Sequence, residues 1–91
     1  MGTFKAIHNS VHSREYKIFQ QELRIAREQQ GISQNELARR LKTTQGYISK
    51  CESGDLRLDV AQIRAFCAAL DVSFIDFMRQ YDAAVLRATK K

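Results

Sequence analysis

Apolar residues return along this chain at steps of three and four, the spacing of one helix face. Tyr16, Phe19, Leu23 and Ala26 make the first such stripe. Ser13 stands before it as an N-cap, and Gly31 ends it, as a glycine just past a last turn does. Ser33-Gln34-Asn35-Glu36 then reads as a capping box, with the Ser33 oxygen taking the Glu36 amide and the Glu36 side chain returning to the Ser33 amide. Ile32 and Leu37 flank it at hydrophobic-staple spacing, and Leu37, Ala38 and Leu41 form the inner face of a short helix. Lys42-Thr43 breaks that face. Thr44 caps a third helix with Ile48 and Cys51 inward, and Gly54 stops it. Asp59 to Gln62 is a second capping box, stapled by Leu58 and Ile63, and Val60, Ile63, Cys67 and Leu70 are the inner stripe of a fourth helix. Ser73 caps a fifth, stapled by Val72 and Phe77, whose apolar face runs through Phe74, Phe77, Met78, Tyr81 and Val85. The pattern predicts five helices over 14–30, 34–41, 45–52, 60–70 and 74–87. Residues 1–12 are aperiodic and read as a flexible arm; Arg87 to Lys91 read as a basic, frayed tail.

Composition narrows the picture. Ninety-one residues make one small domain, and the absence of Pro with only four Gly argues against a loop-rich all-β fold. No stretch approaches the length of a membrane span, and the N-terminus lacks the apolar core of a signal peptide. Two cysteines, Cys51 and Cys67, are neither a disulfide framework nor a metal-type pair, so a reducing cytoplasm is expected. His8 and His12 have a helical metal-ligand spacing but no further ligand close by, so no metal is expected. No catalytic triad order, phosphate loop or carboxylate pair is present, and neither enzymatic activity nor a cofactor is expected. The net charge of +5 favours a polyanionic partner. It is unevenly placed: acids outnumber bases over 59–82, whereas Arg39, Arg40, Lys42 and Lys50 share a stretch without any acid.

The helices 34–41 and 45–52 are too short to stand alone and are separated by about three residues. A tight helix-turn-helix presents its second helix to the DNA major groove. Here the chain resembles a family. Gly31-Ile32-Ser33-Gln34-Asn35-Glu36-Leu37-Ala38-Arg39-Arg40-Leu41, followed by Tyr47-Ile48-Ser49-Lys50-Cys51-Glu52-Ser53-Gly54, is similar to the Xre-type helix-turn-helix of lambdoid phage repressors and Cro, over roughly residues 16–81. Val11 to Tyr16 and Arg57 to Val60 also resemble small stand-alone bacterial members. The resemblance implies an all-α, five-helix, lambda-repressor-like DNA-binding domain with its helix-turn-helix in helices two and three. It places that domain at 13–82, after the arm and before a C-terminal extension at 83–91.

The resemblance also assigns roles. Ala38 would let the two short helices approach closely. Arg27 and Glu52 would form a salt bridge between helix one and the end of the recognition helix. Lys42 stands where the family turn usually has glycine, a position that often needs φ > 0. Base readers would come from Gln45, Gly46, Ser49 and Lys50; a Gln amide can pair with adenine N6 and N7. Gln34, Thr43, Thr44, Tyr47, Ser53 and Arg57 would meet sugar and phosphate. The partner would be a palindromic double-stranded DNA operator, bound by a homodimer. Tyr81, Val85 and Leu86 extend the apolar surface of helix five, and they either dock back on helix one or pair across a two-fold axis as dimer contacts. Two other readings stay open: an antitoxin of the same fold with a toxin or regulatory protein partner, and a protein–protein adaptor without DNA binding.

Overall fold

Each helix begins where a short polar side chain takes a free amide. In the computed structural model, which describes residues 13–89, Ser13 accepts from Tyr16 N–H and opens α1 (Arg14–Gln29). Ser33 opens α2 (Gln34–Leu41), Thr44 opens α3 (Gln45–Ser53), Asp59 opens α4 (Val60–Leu70) and Ser73 opens α5 (Phe74–Thr89). Only the Asp59–Gln62 box closes in both directions. The expected box at Ser33 is half made: Ser33 takes the Glu36 amide, but the Glu36 carboxylate turns to Arg39 and Arg40. Two guanidinium donors outcompete one backbone amide for a carboxylate.

Three helices end in the same way. The chain turns left-handed at Gly31 (φ 70°), Lys42 (φ 58°) and Asp71 (φ 60°). The next amide then reaches back to a carbonyl inside the helix: Ile32 to Arg27, Thr43 to Ala38 and Val72 to Cys67, at 2.9–3.2 Å. These are Schellman turns, which satisfy carbonyls that a helix end leaves free. The conformation expected at Lys42 is therefore present, on a residue other than glycine. Gly54 ends α3 for a different reason: a Cβ there would lie 3.0 Å from the Lys50 Cα and carbonyl oxygen.

The core is one cluster built from all five helices. Phe19 and Leu23 of α1 meet Leu37 and Ala38 of α2, Ile48 and Cys51 of α3, Phe66, Cys67 and Leu70 of α4, and Phe77 of α5, with Ile32 and Leu58 added from connections. Phe19 is met edge-on by Phe77 and Tyr81, with centroids 5.9 and 5.8 Å away, a favoured aromatic geometry. α1 packs on both α3 and α5, while α4 packs on α2 and α5. Facing two neighbours, α4 buries a wider arc than one stripe, which takes in Phe66. Val60, expected inside, is exposed; side chains lean toward a helix's N-terminus, so the first residue projects past its partners.

α5 stays helical through Thr89, so Arg87 to Thr89 are not the frayed tail expected, and the helix crosses residue 82 without a break. The proposed arm, the His8/His12 pair and Lys90–Lys91 lie outside the described residues. No helix among the described residues is long and apolar enough to cross a membrane.

Candidate nucleic-acid interface

The outer side of α3 is built by holding its inner side from α1. Ile48 and Cys51 are fully buried, and Ala38 lies buried in the core beside them. Gln20, on the inward side of α1, donates its amide to the carbonyls of Cys51 (3.2 Å) and Gly54 (3.0 Å), the free end of α3. Tyr16 then pins the following loop: its hydroxyl donates to Leu56 O at 2.9 Å and accepts from Leu58 N–H at 3.0 Å. Burial pushes the Tyr16 phenol above its ordinary pKa. Sequence reasoning placed Tyr16 in an apolar stripe and passed over Gln20. The available signal was an amide lodged among Phe19 and Leu23, since a polar group at a buried position needs partners.

The expected Arg27–Glu52 bridge is formed as a two-pronged fork. Arg27 Nε meets Glu52 Oε2 at 2.6 Å and Nη2 meets Oε1 at 2.9 Å, while Nη1 donates to Ile32 O at 2.7 Å. Both side chains are almost wholly enclosed, at 9% and 2% exposure. The Glu52 hydrogen bond raises the Arg27 pKa, outweighing the opposing effect of burial.

From this pair a chain of amides runs outward. Gln34 Nε2 donates to Glu52 Oε1 at 3.0 Å, and Gln45 Nε2 donates to Gln34 Oε1 at 2.6 Å. The order of donors follows from the carboxylate. Ionised Glu52 only accepts, so Gln34 must turn its NH₂ inward and its oxygen outward. Gln45 must then donate to that oxygen, which leaves its own carbonyl oxygen for a ligand. Two residues with separate expected roles, Gln34 and Gln45, are thus brought together on the same polar chain.

The other candidates divide. Gln45, Gly46 and Lys50 are exposed on α3 and Ser49 is half-buried between them. Thr44, exposed, has its hydroxyl on the Tyr47 amide as the α3 cap, and Ser53 donates to Ser49 O. Thr43 is half-buried in the turn and Arg57 is exposed in the loop before α4. Tyr47 is half-buried and receives a 3.4 Å contact from Gln62 Nε2, which places it on the flank toward α4. Arg40 bridges to Ala69 O at 2.9 Å and, with Gln30 on Leu70 O, caps the end of α4. Arg39 and Arg40 both pair with Glu36, whose carboxyl they hold down to about 2. Cys51 and Cys67 are free, buried thiols whose pKa burial pushes up.

A short helix held from behind, with an amide-bearing face turned to solvent, defines a helix-turn-helix reader. A family described as "Helix-turn-helix domain" matches residues 19–75. Among solved structures, the chain superposes on an XRE-family like protein from Pseudomonas syringae pv. tomato str. DC3000 with a TM-score of 0.74 at 30% identity, over 87% of this chain and 96% of that one. It also superposes on the clp gene regulator ClgR from Corynebacterium glutamicum with a TM-score of 0.72 at 24% identity, over 86% and 84% of the two chains, a likeness of fold alone. No curated protein matches. The chain belongs to the Xre/Cro-type helix-turn-helix family of DNA-binding transcriptional regulators.

Proposed function

We propose that the protein is a repressor that reads a palindromic operator as a homodimer, in the cytoplasm, with α3 of each copy in the major groove. Gln45, Gly46, Ser49 and Lys50 face the base edges. Gln34, Thr43, Thr44, Ser53 and Arg57 line the sugar–phosphate path, with Tyr47 at its edge. The observation that carries this reading is the Gln45–Gln34–Glu52–Arg27 chain. It holds a glutamine amide in one orientation on an exposed helix face, and adenine recognition needs that amide's oxygen and NH₂ fixed together. One recognition helix reads few base pairs, so a second copy supplies the specificity of a full site.

Selection from random duplex DNA tests this. The expected product is an inverted repeat with half-sites about one helical turn apart. Binding to it weakens with salt at a log–log slope near −5, as neutralising about six phosphates requires. Gln45→Ala lowers discrimination at one base position by about 1–3 kcal/mol. No enriched motif, or a flat salt dependence, defeats the DNA reading and favours an adaptor.

A further inference from the structure

The connection from α3 to α4, residues 54–59, has no framework of its own. Among the described residues, none of 55–58 makes a backbone–backbone hydrogen bond. Its polar groups go to α1 instead. Tyr16 Oη donates to Leu56 O at 2.9 Å and accepts from Leu58 N–H at 3.0 Å, which uses one hydroxyl as donor and acceptor together. Gln20, one turn further along the same face, donates to Cys51 O in α3 and to Gly54 O in the connection. The end of α3 and the start of the loop are therefore tied to one side chain.

Arg57 stands between the two residues whose backbone groups share the Tyr16 hydroxyl. Leu58 is buried and Leu56 packs against the core, so both neighbours anchor inward while Arg57 is left exposed. Its guanidinium makes no ion pair or hydrogen bond among the described residues. The arginines of α2 and α4 are engaged: Arg39 and Arg40 with Glu36, and Arg64 over the Phe74 ring. Arg57 is thus held at its backbone and open at its charge. A loose loop would have to be ordered on binding, at a cost in conformational entropy. A loop already tied meets that cost during folding.

We propose that Tyr16 and Gln20 are positioning residues for DNA binding. They lock the loop to the end of α3, so that the Arg57 guanidinium meets a phosphate in fixed register with the bases under α3. The inference rests on the proposed DNA-binding function and adds what holds one of its phosphate contacts in place. Neither side chain is open to DNA itself: Gln20 is 6% exposed, and the Tyr16 hydroxyl is committed to Leu56 and Leu58. The effect of Tyr16 on binding passes through Arg57, so the two act as one unit and their losses do not add.

Titrations of the full chain on an operator selected from random DNA, at about 0.1 to 0.4 M salt, test this as a cycle of Tyr16→Phe, Arg57→Gln and the double variant. Arg57→Gln weakens binding about tenfold at the lowest salt and lowers the log–log slope by about one for each bound copy, with base preferences unchanged. Tyr16→Phe keeps the ring beside Phe19 and does nearly the same. The double variant binds at most about twofold more weakly than Arg57→Gln. Gln20→Met follows Tyr16→Phe in slope, with a lower melting temperature because two carbonyls lose their partner. In the free wild type the Leu58 amide is protected from hydrogen exchange, and Tyr16→Phe releases it while the α3 amides stay protected. Losses that add, a Tyr16→Phe that shifts the melting curve but not the salt slope, or a wild-type Leu58 amide that exchanges freely overturns the inference. An enriched palindrome with independent variants keeps the DNA function and loses only these positioning roles. No enriched motif at all defeats the DNA function first.

Discussion

Two arginine–glutamate clusters sit on the two sides of one motif, with the same 2.6 Å closest approach and opposite surroundings. Arg27 and Glu52 are 9% and 2% exposed and joined by a fork, with Arg27 also donating to Ile32 O and Glu52 also accepting from Gln34. Arg39 and Glu36 are 73% and 33% exposed and belong to a single short helix. Distance alone would rank them equal. Surroundings decide otherwise: in water the gain from attraction is largely cancelled by solvation and side-chain entropy, whereas in the interior neither partner can be left alone. The first pair therefore fixes how α1, α2 and α3 meet, and the second trims the surface of α2.

The largest expected effect comes from breaking the buried pair on one side. Arg27→Ala strands the Glu52 carboxylate and lowers stability by about 3 kcal/mol, roughly 15 °C of melting temperature in a domain this size. DNA affinity falls with it, because α3 loses its anchor. Removing both charges together, as Arg27→Met with Glu52→Met, returns part of the stability: no buried charge is left alone, although Ile32 O and the Gln34 amide each lose a partner. Thermal melts and binding titrations on the three proteins check this. A single variant with an unchanged melting temperature and full affinity overturns it.

A smaller and more specific effect is expected one step out along the amide chain. Gln34→Met preserves length and removes the link between Glu52 and Gln45. Stability drops by only about 1 kcal/mol, because Glu52 keeps its fork with Arg27. The Gln45 amide is then free to flip, presenting NH₂ or oxygen with equal ease. Selected sites lose about tenfold of their preference at one base position and retain the rest. An equal loss over all positions assigns Gln34 to phosphate contact alone.

Most of this architecture was legible because local signals agreed. Caps at Ser13, Ser33, Thr44, Asp59 and Ser73 and the three-four spacing point to the same five helices, and the family pattern placed Arg27 opposite Glu52. What escaped was decided by tertiary geometry. Val60 obeys the periodicity of α4 yet projects beyond its neighbours, and Phe66 breaks it yet is buried because α4 faces two partners. Gln20 and Tyr16 act on carbonyls more than thirty residues away, which no local pattern encodes. Gln34 and Gln45 were each read as reaching for DNA. Their bond to one another depends on the angle between α2 and α3.

The smallest effect belongs to the exposed cluster and is separated by pH. Arg39, and after it Arg40, hold the Glu36 carboxyl at about 2 against an ordinary 4.5. A carboxylate with a depressed folded-state pKa stabilises the fold above its unfolded value, and that contribution is lost as pH falls through the folded one. The window here therefore runs from about 4.5 down to about 2. Thermal melts of the wild type and Glu36→Gln differ slightly at neutral pH and converge by the bottom of that window, and about 0.5 M salt removes most of the difference even at pH 7. A large, salt-resistant difference would mean that Glu36 works as Glu52 does, and the contrast between the two clusters would collapse.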